Sequence, residues 1–291
     1  MNHSKRADSP ALIGVGLNLL SLLFSSLAPV LNKFALVKLN PIAGGVLTSV
    51  FAAGLTGLVI LGRSRRLTLV ANPYFLLLGA TNAVGILLQY VALSLLSPVT
   101  VTLIARVYLI YVFLLSVAFL GERLRKWDYV AIVACLAGSL LVSGGRAQFD
   151  NGWGLLSAFL YPLMYAANNI LAKLLVATTP ADATLFYNHS VSALLLLLLS
   201  PLVPHAWQGL SLVSVSFNFF GAVCNGFLSL LLFYTSLKFI SAGHANIVRA
   251  LGPLIVIAYS AVFFPVQLTG SLVAGALLLL VATALVTFQR A

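Results

Sequence analysis

Arg106 and Arg249 are the basic residues that fall deep inside apolar runs of this sequence, and no acid accompanies either one. The five acids, Asp8, Glu122, Asp128, Asp150 and Asp182, all sit in polar breaks or at the ends of runs. A guanidinium stays charged at any working pH and carries five N–H donors. Placing one at the centre of an apolar helix costs about 2.5–3.5 kcal/mol on insertion scales. A cation kept at that cost without a carboxylate points to a ligand that brings one. The alternative is structural, each arginine fastening to backbone carbonyls of an interrupted neighbouring helix.

Neutral polar groups surround this pair in the sequence. Tyr90, Tyr108, Tyr111, Tyr161, Tyr165, Tyr187, Tyr234 and Tyr259 lie within apolar runs. A phenol hydroxyl in such surroundings needs a partner. An aromatic-lined cavity supplies one, and so does a plain helix–helix hydrogen bond. Asn18, Asn82, Asn168, Asn169, Asn188, Asn225 and Asn246 add donors and acceptors of the kind that commonly tie apolar helices together. Asn82 and Asn225 rank first among them because they fall in corresponding segments, and Asn246 stands three residues before Arg249, on the same helical face. The candidate binding set is therefore Arg106, Arg249, Asn82, Tyr90, Tyr108, Tyr165, Asn169, Tyr187, Asn225 and Asn246. His189 and His244 titrate near neutrality; they are either neutral core histidines or proton-sensitive groups. Metal ligation and nucleotide binding have no support: the histidines are scattered and Gly-x-x-x-x-Gly-Lys-Ser/Thr does not occur. No cofactor is expected.

The elements that position these residues follow from composition. The 291 residues are 61% hydrophobic and 7% charged, with a mean hydropathy of +1.09. A soluble domain carries about 25% charged residues, so a polytopic membrane protein is the one class left. Cys135 and Cys224 stand in apolar runs and read as small buried hydrophobes. A bilayer-crossing helix needs roughly 20 apolar residues. Ten such spans are predicted at 11–32, 41–62, 73–94, 97–120, 127–145, 152–173, 180–203, 215–238, 241–264 and 267–288. Unbroken runs such as Leu194 to Leu199 exclude the alternation of a β-barrel. At ~1.5 Å per residue, Arg106 and Arg249 then lie about 14 Å and 12 Å from the nearer surface, close to the middle of a ~30 Å core. Pro29 in span 1, Pro162 in span 6 and Gly252-Pro253 in span 9 are the expected hinges. Gly79, Gly85, Gly221 and Gly226 let spans 3 and 8 approach their neighbours.

The cations sort by side. With a cytoplasmic N-terminus the inside receives eleven Lys and Arg and the outside three, Lys33, Lys38 and Arg146. This is a positive-inside pattern that predicts both termini in the cytoplasm. The net charge of +11 is largely this asymmetry, so nucleic acid is not an expected partner. Lys5 and Arg6 precede an apolar stretch too long for a cleaved leader, so span 1 is expected to stay.

An internal repeat organises the spans. Tyr90-Val91-Ala92-Leu93-Ser94-Leu95-Leu96-Ser97 matches Tyr234-Thr235-Ser236-Leu237-Lys238-Phe239-Ile240-Ser241 at a shift of 144. Leu19-Leu20-Ser21 matches Leu155-Leu156-Ser157 at a shift of 136, as Asn32 matches Asn168, and Pro41 and Pro180 open the second span of each half. The expected architecture is all-α, ten transmembrane helices as two inverted five-helix repeats: a tail over 1–10, repeats over 11–145 and 152–289, and a loop over 146–151. Five is odd, so the copies enter the bilayer from opposite sides, as many secondary transporters require.

These features, with Phe119-Leu120-Gly121-Glu122-Arg123 closing span 4, resemble the drug/metabolite transporter superfamily, EamA type, over nearly the whole chain. Within it the chain looks most like the YddG-type exporters of aromatic and other hydrophobic amino acids. Departures from the pattern are Phe263-Phe264-Pro265-Val266 in place of a Gly-Glu pair, and Leu109 where span 9 has Pro253. The resemblance implies an inner-membrane exporter of amino acids working by alternating access, with the 3–4 and 8–9 hairpins as gates. Lacking a buried acid for a proton relay, it is expected to be facilitative. The rivals are a superfamily member for a nucleotide sugar, lipid-linked sugar or drug, a membrane transferase, which would need an acidic metal centre at the interface, and a channel, which would need a ring of like charges. The expected partners are the small-molecule substrate and the lipid bilayer.

Overall fold

Asn-Pro dipeptides punctuate this chain, and each opens a helix for the same reason. The Asn40 side chain accepts from the Ile42 amide at 3.1 Å and Asn72 from the Tyr74 amide at 2.9 Å, while Pro41 and Pro73 occupy the first helical position, where no N–H is missed. Asn151 caps through the Gly154 amide at 2.8 Å, and Ser211 with Ser214 forms a reciprocal capping box. The computed structural model describes residues 8–63, 72–96, 101, 104–105, 107–121, 123, 126–143, 151–249, 251–252, 255 and 269–288. Its helices are α1 (Asp8–Leu36), α2 (Pro41–Gly62), α3 (Pro73–Leu95), α4 (Val107–Leu120), α5 (Lys126–Ser143), α6 (Gly152–Val176), α7 (Ala181–Leu199), α8 (Leu212–Ser236), α9 (Ala242–Arg249) and α10 (Gly270–Phe288). Within α8 the stretch Ala222–Ser229 is wound as a π-helix.

Among the described residues six helices are long and apolar enough to cross a membrane: Pro10–Ala28, Pro41–Gly62, Pro73–Leu95, Gly152–Val176, Ala181–Leu202 and Leu212–Ser236. Only 28 to 50% of these windows is buried within the protein, so apolar side chains such as Leu198, Leu212 and Trp153 face outward. Lipid is the solvent that such faces require.

Two expected spans differ from their prediction. The runs 97–120 and 241–264 read as continuous, yet both are broken. The Tyr108 amide donates to the Ala105 carbonyl at 3.0 Å, and the Leu251 amide to the Val248 carbonyl at 3.2 Å. Both are i→i−3 bonds, the tight turn that often marks a hinge, and they fall 143 residues apart, close to the repeat offset. In the second half Pro253 has no N–H to give the Arg249 carbonyl. No comparable residue marks the first turn, and an apolar run keeps its composition through a turn of this kind.

Packing exchanges partners between the two halves. α1 lies on α8 and α6 on α3; α8 also packs on α2, and α3 on α7; α9 contacts α1, and α4 contacts α6. α2 packs on α7, α4 on α9 and α5 on α10. Each of these contacts is therefore matched by one in which each helix is replaced by its counterpart five places along. Gly45 faces Leu196 and Gly57 faces Phe186, so α2 and α7 run antiparallel. Ser21 against Ser229 and Phe34 stacked on Phe217 at 5.2 Å make α1 antiparallel to α8. Asn168 on Leu78 and Gly154 on Leu96 do the same for α6 and α3. The largest core cluster, from Phe75 and Leu78 through Leu185 to Tyr234 and Leu237, sits where α3, α6, α7 and α8 meet.

Candidate functional site

Arg249 ends α9 at the broken turn, where it keeps part of its surface open. Its Nη1 donates to the Ser21 hydroxyl of α1 at 2.9 Å, and that hydroxyl donates onward to the Ser229 carbonyl at 2.8 Å. The guanidinium carbon lies 4.7 Å from the centroid of the Phe233 ring, a cation–π distance. Among the described residues no carboxylate is within ion-pair reach of Arg249: Asp182 pairs with Arg63 at 3.2 Å, and Asp128 faces His244 at 3.7 Å. Most of the five donors of Arg249 are therefore unspent on described groups.

The neighbouring hydroxyls and amides join into one network. Three residues before Arg249, Asn246 is buried; its Oδ1 accepts from the Tyr108 hydroxyl at 2.7 Å and its Nδ2 donates to the Ala242 carbonyl at 2.8 Å. Tyr108 in turn accepts from Asn169 Nδ2, which links α4, α6 and α9. Arg249 also lies in electrostatic range of the Tyr108 and Tyr234 phenols. Tyr234 is fully buried; it donates to Asn168 Oδ1 at 3.0 Å and accepts from Asn188 Nδ2 at 2.7 Å. Asn168 Nδ2 donates to the Leu78 carbonyl at 2.6 Å, which ties the second half to α3 of the first. The π-wound stretch Ala222–Ser229 ends four residues before Phe233, and it sets the phase at which Phe233 and Tyr234 meet this cluster.

The repeat places a second cluster at the equivalent residues. Tyr90, the counterpart of Tyr234, lies 3.4 Å from the Thr48 hydroxyl, and Asn218 Nδ2 donates to that hydroxyl at 3.0 Å and to the Gly44 carbonyl at 3.2 Å. Gln89, the counterpart of Phe233, accepts from the Tyr165 hydroxyl at 2.8 Å. This half is held more loosely. Its tyrosine bond is 3.4 Å against 2.7 Å, and the buried Asn32 Oδ1, counterpart of the engaged Asn168, has no partner among the described residues.

Of the ten binding candidates, Arg249, Tyr108, Asn169 and Asn246 come together, and Tyr90 and Tyr165 belong to the second cluster. Asn82 instead ties α3 to α7 through the Ser192 hydroxyl at 2.9 Å. Tyr187 packs among aromatics, with Phe75 at 4.5 Å between centroids. Asn225 is exposed on α8 and joins neither cluster. Arg106 and Pro253 lie outside the described residues. Helix continues through Pro29 in α1 and through the buried Pro162 in α6, and Gly252 follows the turn at Leu251, with Leu22 facing it.

His244 caps the start of α9 with Ser241, at 2.8 Å from its Oγ, besides facing Asp128. Asp128 itself is 2% exposed in the first turn of α5, whereas the sequence places it in an ordinary polar turn. His189 is 1% exposed in α7 beside Gly226, and Ser49 of α2 is likewise buried, its hydroxyl without a partner among the described residues. Sequence reasoning passed over Ser21 and Phe233, which touch Arg249. For Phe233 a signal exists, since it immediately precedes the repeated tyrosine; for Ser21 the match with Ser157 marks the position but not its partner. Among the described residues no three His, Cys, Asp or Glu gather as a metal site would need.

The sequence profile of the EamA-like transporter family matches residues 12–144 and again residues 152–288. No curated protein matches the chain. A crystal structure of a protein 19% identical in sequence is similar over 97% of this chain and 99% of its own, at a TM-score of 0.78. At that identity the similarity speaks for the fold alone.

Proposed function

Because the chain belongs to the EamA-like transporter family, with two copies of its domain, we propose that it is a secondary transporter exporting aromatic or hydrophobic amino acids, or similar small amphipathic metabolites, by alternating access. The family is one of multi-pass membrane transporters. Arg249 carries the choice of substrate class. A part-exposed guanidinium at a broken helix, on a phenylalanine ring and with no carboxylate in reach among the described residues, suits a ligand that presents a carboxylate beside an apolar group. Discontinuous helices at the boundary between repeats are where transporters of inverted design hold substrate. Tyr108, Asn246 and Asn169 would read the amino group and orient the ligand, and Tyr90 and Tyr165 would line its path from the other half.

Ten spans in two inverted sets, over 11–145 and 152–289, are supported by the exchanged packing and by the antiparallel course of α2 and α7. Residence in the inner membrane with both termini cytoplasmic rests on the distribution of Lys and Arg. The test is counterflow of radiolabelled Phe, Trp, Thr and Leu into liposomes that contain only this protein. Exchange of Phe, Trp or Leu that is lost in Arg249→Gln supports the reading. No exchange of any of the four by the wild-type protein overturns the substrate class, and exchange that survives Arg249→Gln overturns the role of the arginine. Facilitative transport requires that flux persist when a protonophore collapses the proton gradient.

A further inference from the structure

We infer that the chain holds the phosphate group of an anionic phospholipid between its two halves, in a cavity at the basic end of the bundle. The cavity is an open one of about 340 Å³ between the end of α2, the start of α7 and the end of α8, and Arg63, Asp182, Leu231, Leu232, Thr235 and Lys238 are among the residues that line it. Arg63 belongs to the first half and the other five to the second, so an occupant bridges the two.

Charge sets the class of ligand. Among the described residues Arg63 gives one hydrogen bond, to Asp182 at 3.2 Å, and keeps its side chain 58% exposed. A guanidinium has five donors, so most of its fork remains for a second anion. Lys238 is exposed and makes no hydrogen bond among the described residues, whereas the nearby Lys173 is committed to the Leu237 and Ile240 carbonyls, the second at 2.7 Å. Among the described residues that line the cavity, two cations against one carboxylate leave a single positive charge, which one phosphodiester neutralises. The Thr235 hydroxyl already donates to the Leu231 carbonyl at 2.7 Å and contributes shape only. Leu231 and Leu232 form the apolar wall. A free phosphate gains nothing from that wall, whereas a glycerophospholipid lays its glycerol and first methylenes on it. Basic pockets between transmembrane helices at the positive side are where such headgroups are held.

The experiment uses the full-length protein in nanodiscs of phosphatidylcholine, with and without phosphatidylglycerol, and reads the thermal unfolding midpoint. Phosphatidylglycerol is expected to raise the midpoint, with apparent affinity falling about 5-fold for each cation removed. Lys238→Gln keeps the Arg63–Asp182 pair and should lose part of the rise; Arg63→Gln with Lys238→Gln should lose the rest. Lys126→Gln, at the same end of the bundle but outside the cavity, should keep the full rise. A rise unchanged in Lys238→Gln, or diminished equally in Lys126→Gln, overturns the site. An equal rise with soluble glycerol phosphate in place of the lipid overturns the lipid assignment, and no effect of glycerol phosphate supports it.

Discussion

At the scale of single residues, the contrast between Arg249 and Tyr234 separates function from stability. Among the described residues Arg249 makes one hydrogen bond, to a serine, and one ring contact, so the fold gains little from it and bears the cost of its partial desolvation. Arg249→Gln is expected to leave the thermal midpoint unchanged or slightly higher. Counterflow should fall about 10- to 100-fold, the value of a charge-assisted hydrogen bond of about 1.5–3 kcal/mol. Tyr234→Phe should do the opposite. It strands the Asn188 amide and the Asn168 carbonyl in a buried site, at about 1–3 kcal/mol of stability, and the flux per folded molecule should hold; denaturant titration and counterflow on the same preparation separate the two effects. The gathering of Arg249 with Asn246 was legible because three residues along one helix fix a shared face. That Tyr108 and Asn169 would complete the network, and that Tyr187 and Asn225 would not, depends on which helix packs beside which. Asn225 shows the limit: its segment was rightly aligned with that of Asn82, but the π-wound turn of α8 and a one-residue offset put it on another face.

At the scale of elements, helix starts were the most readable feature, because Asn40-Pro41, Asn72-Pro73 and Asn151 carry their caps in the sequence. The breaks near Arg106 and Arg249 were half legible. Gly252-Pro253 announced the second; nothing in Ala105-Arg106-Val107-Tyr108 announced the first. Glycine spacing gave the tight helix pairs without saying how tight. Gly79 of α3 is pressed against Val191 and the Asn188 carbonyl of α7, whereas Gly16 of α1 has nothing within 4 Å of where a Cβ would stand. Gly79→Val should therefore force α3 from α7, break the Ser192 bond to the Gly79 carbonyl and cost several kcal/mol, in the range of overpacked cores. Gly16→Val should be neutral within about 1 kcal/mol, since only helix propensity changes. Fluorescence-detected size exclusion after heating measures both, and equal midpoints would show that the close approach of α3 and α7 is not maintained in the membrane.

At the scale of the whole molecule, the exchanged packing decides how the two halves can move. Each half lends its first helix to the third helix of the other, so neither half travels as a separate body. Opening at one end has to loosen α1 from α8, or α6 from α3, and to part the antiparallel α2–α7 pair at that same end. The difference between the two tyrosine clusters fits such a device: the Tyr234–Asn188–Asn168 bonds are drawn tight while Tyr90–Thr48 is slack and Asn32 Oδ1, against Gly221, has no hydrogen-bond partner among the described residues. None of this could be read from the repeat itself, which reports that two copies exist and not which surfaces they trade. Phe34 and Phe217 stack at one end of the α1–α8 seam, 5.2 Å between centroids, and Arg63 and Asp182 meet at the opposite end of the α2–α7 pair. With Cys135 and Cys224 replaced by alanine, Phe34→Cys and Phe217→Cys joined by a short bifunctional thiol reagent should stop counterflow, and cleaving the linker should restore it. Joining Arg63→Cys to Asp182→Cys should also stop it, since alternating access needs both ends to part once per cycle. Flux that survives the first cross-link and stops with the second would mean that one end opens and the other is fixed, which is a gated pore and not a carrier.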